Sequence, residues 1–215
     1  FDYLPTATLA AIVIVAGFGL FDLGELRLLW RYRRSEFWLA LLTVAAVLGL
    51  GMLTGIVVAI ALSLLMMVLR AAAPHSAVLG RLPGTDTYRD VADHPTAQTV
   101  PGLLLYRFDA PIFFANAAGL RDEVLGLLDQ SPATTVVLDM ESVHDIDSTG
   151  AQMLVELLDE LDRRQVTLEL ARVRTELRDE LESGRIASRL PADGIHLEVD
   201  DAVAAYLARR PDPHE

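Results

Sequence analysis

The sequence contains no cysteine and no lysine, and each absence removes a class of chemistry. Without cysteine the chain forms no disulfide and no thiolate site, which fits a reducing cytoplasmic compartment. Without lysine, no mechanism that depends on a lysine amine is open to these 215 residues. The remaining charge is unbalanced, because 30 acidic residues face 18 basic ones, all of them arginine.

The acidic excess lies in one part of the chain. Residues 1–70 carry four acids and five arginines, which leaves 26 acids against 13 arginines in residues 71–215. A net charge of about −13 in this second part argues against nucleic acid as a partner. The size of the second part, about 145 residues, is typical of one domain.

Charged residues are missing altogether from the 33 residues between Phe37 and Leu69, and nearly all of these residues are apolar. As one helix the run would be about 50 Å long, whereas the hydrocarbon core of a bilayer is about 30 Å thick. It must therefore tilt steeply or turn back. The glycine-rich stretch 49–55 favours a hairpin with limbs near 37–52 and 55–70, and one long tilted helix is the alternative.

A second apolar segment, 4–21, has the length of one more membrane span. Between the two apolar regions lie four arginines, Arg27, Arg31, Arg33 and Arg34. Because arginines in short loops mark the cytoplasmic side, we expect this loop and the polar domain on that side of the inner (plasma) membrane. The chain begins with Phe1 and lacks the basic start of a signal peptide, so we expect it to be a piece of something longer.

Strands alternate with helices in the polar part. Residues 73–100 are rich in Pro, Gly, Thr and Asp and predict a linker, with one short strand near 85–90. Residues 101–215 predict an α/β domain with helices packed on a central sheet. Its predicted strands are 102–108, 134–140, 166–171 and 195–199, and its predicted helices are 116–130, 145–164, 176–183 and 202–209. Asn116 is predicted to cap the first of these helices. Phe113 and Phe114, which precede it, are predicted to lie in the core.

The densest polar cluster of this domain, His-Asp-Ile-Asp-Ser-Thr-Gly at 144–150, directly precedes a predicted helix. Asp147 or Ser148 can cap that helix, and its positive end favours a hydroxyl or a phosphate. Three interpretations are open. The cluster is a helix cap alone, or it is the D-x-D-x-T nucleophile motif of a phosphohydrolase with Asp145 as nucleophile. In the third, phosphorylation of an exposed hydroxyl alters a docking surface.

Enzyme chemistry and metal binding are both disfavoured. A D-x-D-x-T motif should directly follow an apolar strand, whereas residues 141–144 intervene here, and such enzymes normally use a lysine. His144 has no second histidine or cysteine near it in sequence, so it predicts no metal site. We therefore expect no catalytic residue, no cofactor and no metal.

Several of these segments together resemble a known family. The strand VVLDM at 136–140, the helix start DSTG at 147–150 and DAPIFFANA at 109–117 resemble a STAS domain. Segments 4–22 and 28–70, with VLGRLPGTDTYRD at 78–90, resemble the end of a SulP anion transporter. The resemblance covers essentially the whole chain.

This resemblance implies a parent protein of fourteen membrane helices, of which the chain holds the last three, followed by a cytoplasmic STAS domain. The inorganic anion would bind between half-helices outside this chain. The phosphorylated hydroxyl of stand-alone STAS proteins corresponds to Thr149, with Asp147 as the supporting acid and Ser148 as the second candidate. The implied partners are membrane lipid, the rest of the membrane domain and a second copy in a homodimer.

The sequence thus predicts part of a secondary active transporter, of sulfate above other anions, that works by alternating access and carries a regulatory STAS domain. The alternative is a membrane-tethered signalling module of the anti-sigma-factor-antagonist type, controlled by phosphorylation at Thr149. The two differ in whether further membrane segments precede residue 1.

Overall fold

Two compact units make up the chain, Phe1–Met67 and Val68–Glu215. The computed structural model describes residues 6–19, 22–183 and 186–209, without the side chains of residues 23 and 183. The first unit is helical and the second is built on a sheet.

The described helices of the first unit are α1 (Thr6–Gly19), α2 (Leu23–Tyr32), α3 (Arg34–Leu50) and α4 (Met52–Ala72), the last of which continues into the second unit. By length and composition alone, two stretches could cross a membrane: Met52–Ala72, and Thr6–Tyr32, which runs across residues outside the described ranges. The predicted first span, 4–21, contains α1, while its residues 4, 5, 20 and 21 lie outside the described residues.

The long apolar run is broken at Gly51, inside the stretch where the sequence predicts the turn. Gly51 has φ +88°, a left-handed conformation that glycine adopts without steric cost. Residues eight apart in a straight helix lie about 12 Å apart. A Cβ on Gly55, however, would lie only 2.4 Å from the Cα of Val47. The chain therefore bends sharply, and the structure has two helices here rather than the single tilted helix of the alternative.

The arginine-rich segment is a helix and not the loop that the sequence predicts. Asp22 caps α2, because its Oδ1 accepts hydrogen bonds from the backbone N–H groups of Gly24 (2.8 Å) and Glu25 (3.1 Å). Asp22 and Glu25 have the spacing of a capping box, which is the sequence signal for this helix. Arg33, with φ −146°, separates α2 from α3.

A six-stranded sheet forms the centre of the second unit, in the order β2-β1-β3-β4-β5-β6. Strands β3 to β6 are parallel, β1 is antiparallel to β3, and β2 is antiparallel to β1. The strands are β1 (Ser76–Arg81), β2 (Tyr88–Asp90), β3 (Leu103–Phe108), β4 (Thr135–Asp139), β5 (Thr167–Ala171) and β6 (Ile195–His196).

Two of these strands lie in the segment 73–100 that the sequence predicts as a linker. Strand β2 matches the short strand predicted near 85–90, whereas β1 was not predicted. In β1, Ala77 and Leu79 are buried in the core. Gly80 packs so closely that an added Cβ would lie 2.9 Å from Cγ1 of Val91. The pattern of β1 is weak because one buried side chain is small and prolines and glycines surround the strand. The sheet therefore begins at residue 76, well before the predicted domain start at 101.

Helices cover both faces of the sheet, which confirms the predicted α/β class. The helices are α5 (Ala117–Gln130), α6 (Ser148–Arg163), α7 (Thr175–Ser183) and α8 (Val199–Arg209), with a short 3₁₀ turn at Ala187–Arg189. Apolar side chains of α5, α6 and α7 share one core with Leu104, Tyr106 and Leu138. Those of α8 pack on the opposite face with Leu103, Leu105 and Val137. This alternation along β3 reflects the two-residue period of a strand.

One carboxylate lies wholly inside this fold. The side chain of Glu169, in β5, is 0% exposed, and its carboxylate contacts two basic side chains. His196 Nε2 lies 2.7 Å from its Oε2, and the guanidinium of Arg209, in α8, contacts its Oε1. A buried charge persists only when it is paired, so these contacts fasten α8 to the sheet.

Replacing Gly55 with alanine should destabilise the helix break between α3 and α4. The added methyl group meets the backbone of Val47, which cannot yield as a flexible side chain does. We expect a loss of about 1–3 kcal/mol, typical of overpacking, measured as a lower apparent Tm of the full-length protein in detergent. Gly49→Ala is the matched control, since no atom lies within 4 Å of a Cβ there. Equal effects of the two variants would contradict the close contact.

Candidate functional site

The polar cluster lies in the loop between β4 and α6. A short parallel bridge attaches this loop to the segment that leads into α5. The N–H of Ile112 donates to the carbonyl oxygen of Asp145, and the N–H of Asp147 donates to the carbonyl oxygen of Ile112, both at 3.0 Å. The bridge brings residues 112–114 beside the first turn of α6.

The carboxylate of Asp147 holds these two segments together. Its Oδ1 accepts from the backbone N–H of Gly150 at 2.7 Å, which makes Asp147 the N-cap of α6. Its Oδ2 accepts from the backbone N–H of Phe114 at 2.9 Å. Both oxygens are thus engaged by backbone donors, and the role that the contacts give to Asp147 is structural.

Gly150 is required by the same close approach. An added Cβ would lie 2.8 Å from the carbonyl oxygen of Ile112 and 3.0 Å from Cγ2 of Ile146. A side chain at this position would push the bridge away from α6. The glycine of the DSTG sequence therefore serves packing rather than an unusual backbone angle.

Ser148 and Thr149 are exposed in the first turn of α6, as the sequence predicts. Within the described part of the chain, neither hydroxyl has a hydrogen-bond partner. The N-terminal end of a helix carries a partial positive charge, which favours a phosphate on either hydroxyl. The negative charges of Asp147 and of the exposed Asp145 would repel such a phosphate. The geometry thus leaves both hydroxyls accessible to a modifying enzyme.

The prediction that both phenylalanines are buried is wrong. Phe114 is 64% exposed and Phe113 is half-buried, with their rings packed edge to face at 5.3 Å between centroids. Ile112 takes the core position instead. We call Phe114, Ser148 and Thr149 the α6 entry surface; it combines an apolar ring with two hydroxyls.

Asn116 explains why the chain turns in this way. Its side-chain oxygen accepts from the N–H of Phe113 at 2.9 Å, and its side-chain nitrogen donates to the carbonyl oxygen of Pro111 at 2.8 Å. The residue is at the N-cap position of α5 but makes no side-chain capping bond, so the predicted cap is wrong. Its buried amide stabilises the preceding turn instead.

The phosphohydrolase interpretation finds no support in the geometry. The carboxylate at the end of β4 is Asp139, not Asp145, and it is buried against the guanidinium of Arg172, whose Nε donates to Oδ1 at 2.9 Å. Arg172 also pairs with Glu141 at 2.7 Å. Burial alone would lower the pKa of Arg172, but Asp139 and Glu141 outweigh it and raise the pKa. Asp139 therefore has a fixed charged partner.

Metal ligands do not converge in the described residues, which contain no cluster of three or more His, Asp or Glu side chains able to hold an ion. His144 is exposed, and its Nδ1 lies 3.3 Å from the carbonyl oxygen of Ser142.

A second polar cluster, centred on Asp109, was missed by the sequence analysis. Its carboxylate contacts Nε of Arg107 at 3.0 Å, Nδ1 of His75 at 3.0 Å and Oγ of Ser142 at 3.1 Å. The signal was present, since Asp109 directly follows β3, and side chains at the carboxyl ends of parallel strands lie together. These contacts tie the start of β1 to the loops after β3 and β4.

Family comparisons agree with this division of the chain. The model of the STAS domain family matches residues 94–202, and that of the sulfate permease family matches residues 1–43. The chain belongs to the SulP family. It corresponds to a C-terminal part of a SulP protein and includes its STAS domain.

Curated SulP relatives match over nearly the whole chain. A protein of Mycobacterium tuberculosis (strain H37Rv) named "Probable sulfate transporter" is 43% identical over 95% of the chain, which covers 37% of that protein. High affinity sulfate transporter 2 of Stylosanthes hamata is 32% identical over 96% of the chain and 33% of its own length. The chain thus spans about a third of the length of these relatives.

The fold is shared with a solved structure. The murine Solute Carrier 26 family member A9 anion transporter, in the inward-facing state, matches with a TM-score of 0.79 at 22% identity, over 96% of this chain and 34% of that one. At this level of identity the likeness concerns the fold alone. This chain therefore consists of a membrane-helix region followed by a STAS domain.

Removing the Asp147 carboxylate should loosen the STAS domain at the α6 entry surface. Asp147→Ala leaves the N–H groups of Gly150 and Phe114 without their acceptor, so we expect a loss of about 1–2 kcal/mol, as for other N-caps. Thermal unfolding of the full-length protein measures it. Asp145→Ala is the matched control, because the described structure shows no hydrogen bond to that side chain. A loss as large in the control would contradict the capping role.

Proposed function

We propose that this chain is the C-terminal part of a secondary active transporter of inorganic anions, with sulfate as the first candidate. One observation carries the proposal: 43% identity over 95% of the chain to a protein named as a sulfate transporter. The apolar helices and the STAS domain within one chain support it. Transport by alternating access involves no bond chemistry, so we assign no catalytic residue, cofactor or metal to these residues.

The substrate site belongs outside this chain. No charged side chain lies between Phe37 and Leu69, and the acidic second unit would repel an anion. We assign α1, α3 and α4 to the scaffold against which the substrate-bearing part of the membrane domain moves. The membrane partners are then lipid, the remaining helices and a second copy in a homodimer.

The STAS domain is placed in the cytoplasm, at the inner face of the plasma membrane. The four arginines of residues 27–34 support this side assignment, and so does the absence of cysteine. There the domain regulates transport through the α6 entry surface. We take the regulatory domain to extend over residues 76–209, because β1 is part of its sheet.

Uptake of labelled sulfate by vesicles that contain the full-length protein tests the transporter proposal. We expect uptake above that of protein-free vesicles, with competition by unlabelled sulfate. Bicarbonate and dicarboxylates, added as competitors, define the substrate class. In intact spheroplasts, protease added from outside should leave the STAS domain uncut. No uptake of any of these anions would overturn the proposal, and digestion of the domain would overturn its cytoplasmic placement.

A signalling module anchored to the membrane is the second candidate. It is favoured by the exposed hydroxyl of Thr149 beside the exposed ring of Phe114, a combination that suits a phosphorylation-dependent partner. A gene that begins near residue 1 would favour this module, whereas about eleven further membrane segments upstream would favour the transporter.

Negative charge at Thr149 should alter transport if the α6 entry surface is regulatory. We expect Thr149→Glu to change sulfate uptake by at least about fivefold, the lower end of ordinary allosteric coupling. Thr175→Glu is the matched control, because Thr175 is also exposed in the first turn of a helix. Unchanged uptake in both variants would remove the regulatory role from Thr149. Mass spectrometry of the native protein reports whether Thr149 or Ser148 carries phosphate.

A further inference from the structure

Helix α2, the residue after it and the start of α3 carry four arginines. They differ in whether their guanidinium groups have a partner among the described residues. Arg33 is neutralised by Glu36 at 3.1 Å. The guanidinium of Arg34 lies 5.5 Å from the ring centroid of Trp30, at cation–π distance. Arg27 and Arg31 are exposed, and the described residues offer them no hydrogen bond or ion pair. Two positive charges are thus left for a partner outside this unit.

The free arginines lie on one side of α2. Arg27 and Arg31 are four residues apart, which places them on the same helix face, one turn apart. The neighbouring face carries Leu26, Leu29 and Trp30. An apolar face bordered by arginines is the pattern of a helix that lies in the plane of a membrane interface.

Aromatic rings continue this surface beyond α2. Trp30 packs edge to face on Phe37 at 5.0 Å, and Phe37 packs on Trp38 at 5.8 Å. Trp30 and Trp38 nevertheless remain 46% and 57% exposed. Tryptophan concentrates at the level of lipid headgroups, where its ring is half in hydrocarbon and its N–H meets water.

We propose that Arg27, Arg31 and Arg34, with Trp30 and Trp38, bind the phosphate of an anionic lipid headgroup. We call these five residues the arginine–tryptophan surface. Guanidinium groups fit phosphate oxygens with paired hydrogen bonds, and the rings beside them fit the glycerol and upper acyl region. This inference goes beyond the proposed transport activity and does not depend on which anion is carried.

The acidic second unit is one rival occupant, because it also offers negative charge, and the remaining helices of the membrane domain are another. A carboxylate-rich protein surface, however, would leave the tryptophans and the exposed Leu28 without an apolar partner. A lipid satisfies both the positive charges and the aromatic rings beside them, whereas a carboxylate or a free phosphate satisfies only the charges.

Native mass spectrometry of the full-length protein in detergent, titrated with phosphatidylglycerol or phosphatidylcholine, tests the proposal. We expect phosphatidylglycerol to bind more tightly than phosphatidylcholine. The double variant Arg27→Gln/Arg31→Gln should bind phosphatidylglycerol about 30-fold more weakly, since each arginine at a membrane surface contributes about a factor of five. Raising the salt concentration should weaken the binding of phosphatidylglycerol to the wild-type protein and weaken its binding to the double variant less.

The matched control is Arg89→Gln/Arg178→Gln, which removes the same charge from exposed arginines of the second unit and should leave lipid binding unchanged. Equal binding of both lipids, equal losses in both double variants, or displacement of bound lipid by millimolar inorganic phosphate would each overturn the proposal. The last outcome would indicate a free-anion site. A protein that binds phosphatidylglycerol through these arginines but transports no anion would overturn the proposed function and leave this inference standing.

Discussion

The carboxylate of Asp147 is the interaction on which the candidate site depends. One oxygen caps α6 through Gly150, and the other holds the chain at Phe114. The absence of a side chain at Gly150 lets the Ile112 bridge approach closely enough for both bonds to form. Because the carboxylate is occupied by this task, the hydroxyls of Ser148 and Thr149 are left as the exposed polar groups of the first turn.

Much of the fold of the second unit could be predicted from apolar patterns. The buried stripe of α6, which includes Leu154, Leu157 and Leu161, recurs at helical spacing. The run at 135–139 is wholly buried, as expected of a central parallel strand. These patterns are strong because each position contributes a large apolar side chain to one core.

The predictions that failed did so for physical reasons that differ from one element to the next. Strand β1 was missed because it is short and pairs with β3, a partner distant in sequence, which a local pattern does not reveal. The exposure of Phe114 follows from the turn that the buried amide of Asn116 stabilises, a tertiary arrangement invisible in the apolar run PIFF. Helix α2 was missed although Asp22 and Glu25 carried the capping signal, because four arginines favoured the interpretation as a loop.

The absence of lysine gives the charged contacts a common character. Apart from the contacts that His196 makes with Glu169 and His75 makes with Asp109, the ion pairs described here are made by guanidinium groups, and so is every positive charge of the arginine–tryptophan surface. A guanidinium group remains charged across the physiological pH range. Changes in pH therefore reach these contacts through the carboxylates and histidines alone.

Glu169 of β5 depends on one of these guanidinium groups. Arg209 reaches it from the last described turn of α8, so the buried charge of the sheet is balanced partly from the terminal helix. A proteolytic cut that freed this helix would remove Arg209, uncover the Glu169 carboxylate to water and leave His196 as its partner among the described residues. Helix α8 thus acts as a counter-ion as well as a cover, so its loss would take a charged partner and an apolar layer from the sheet at the same time.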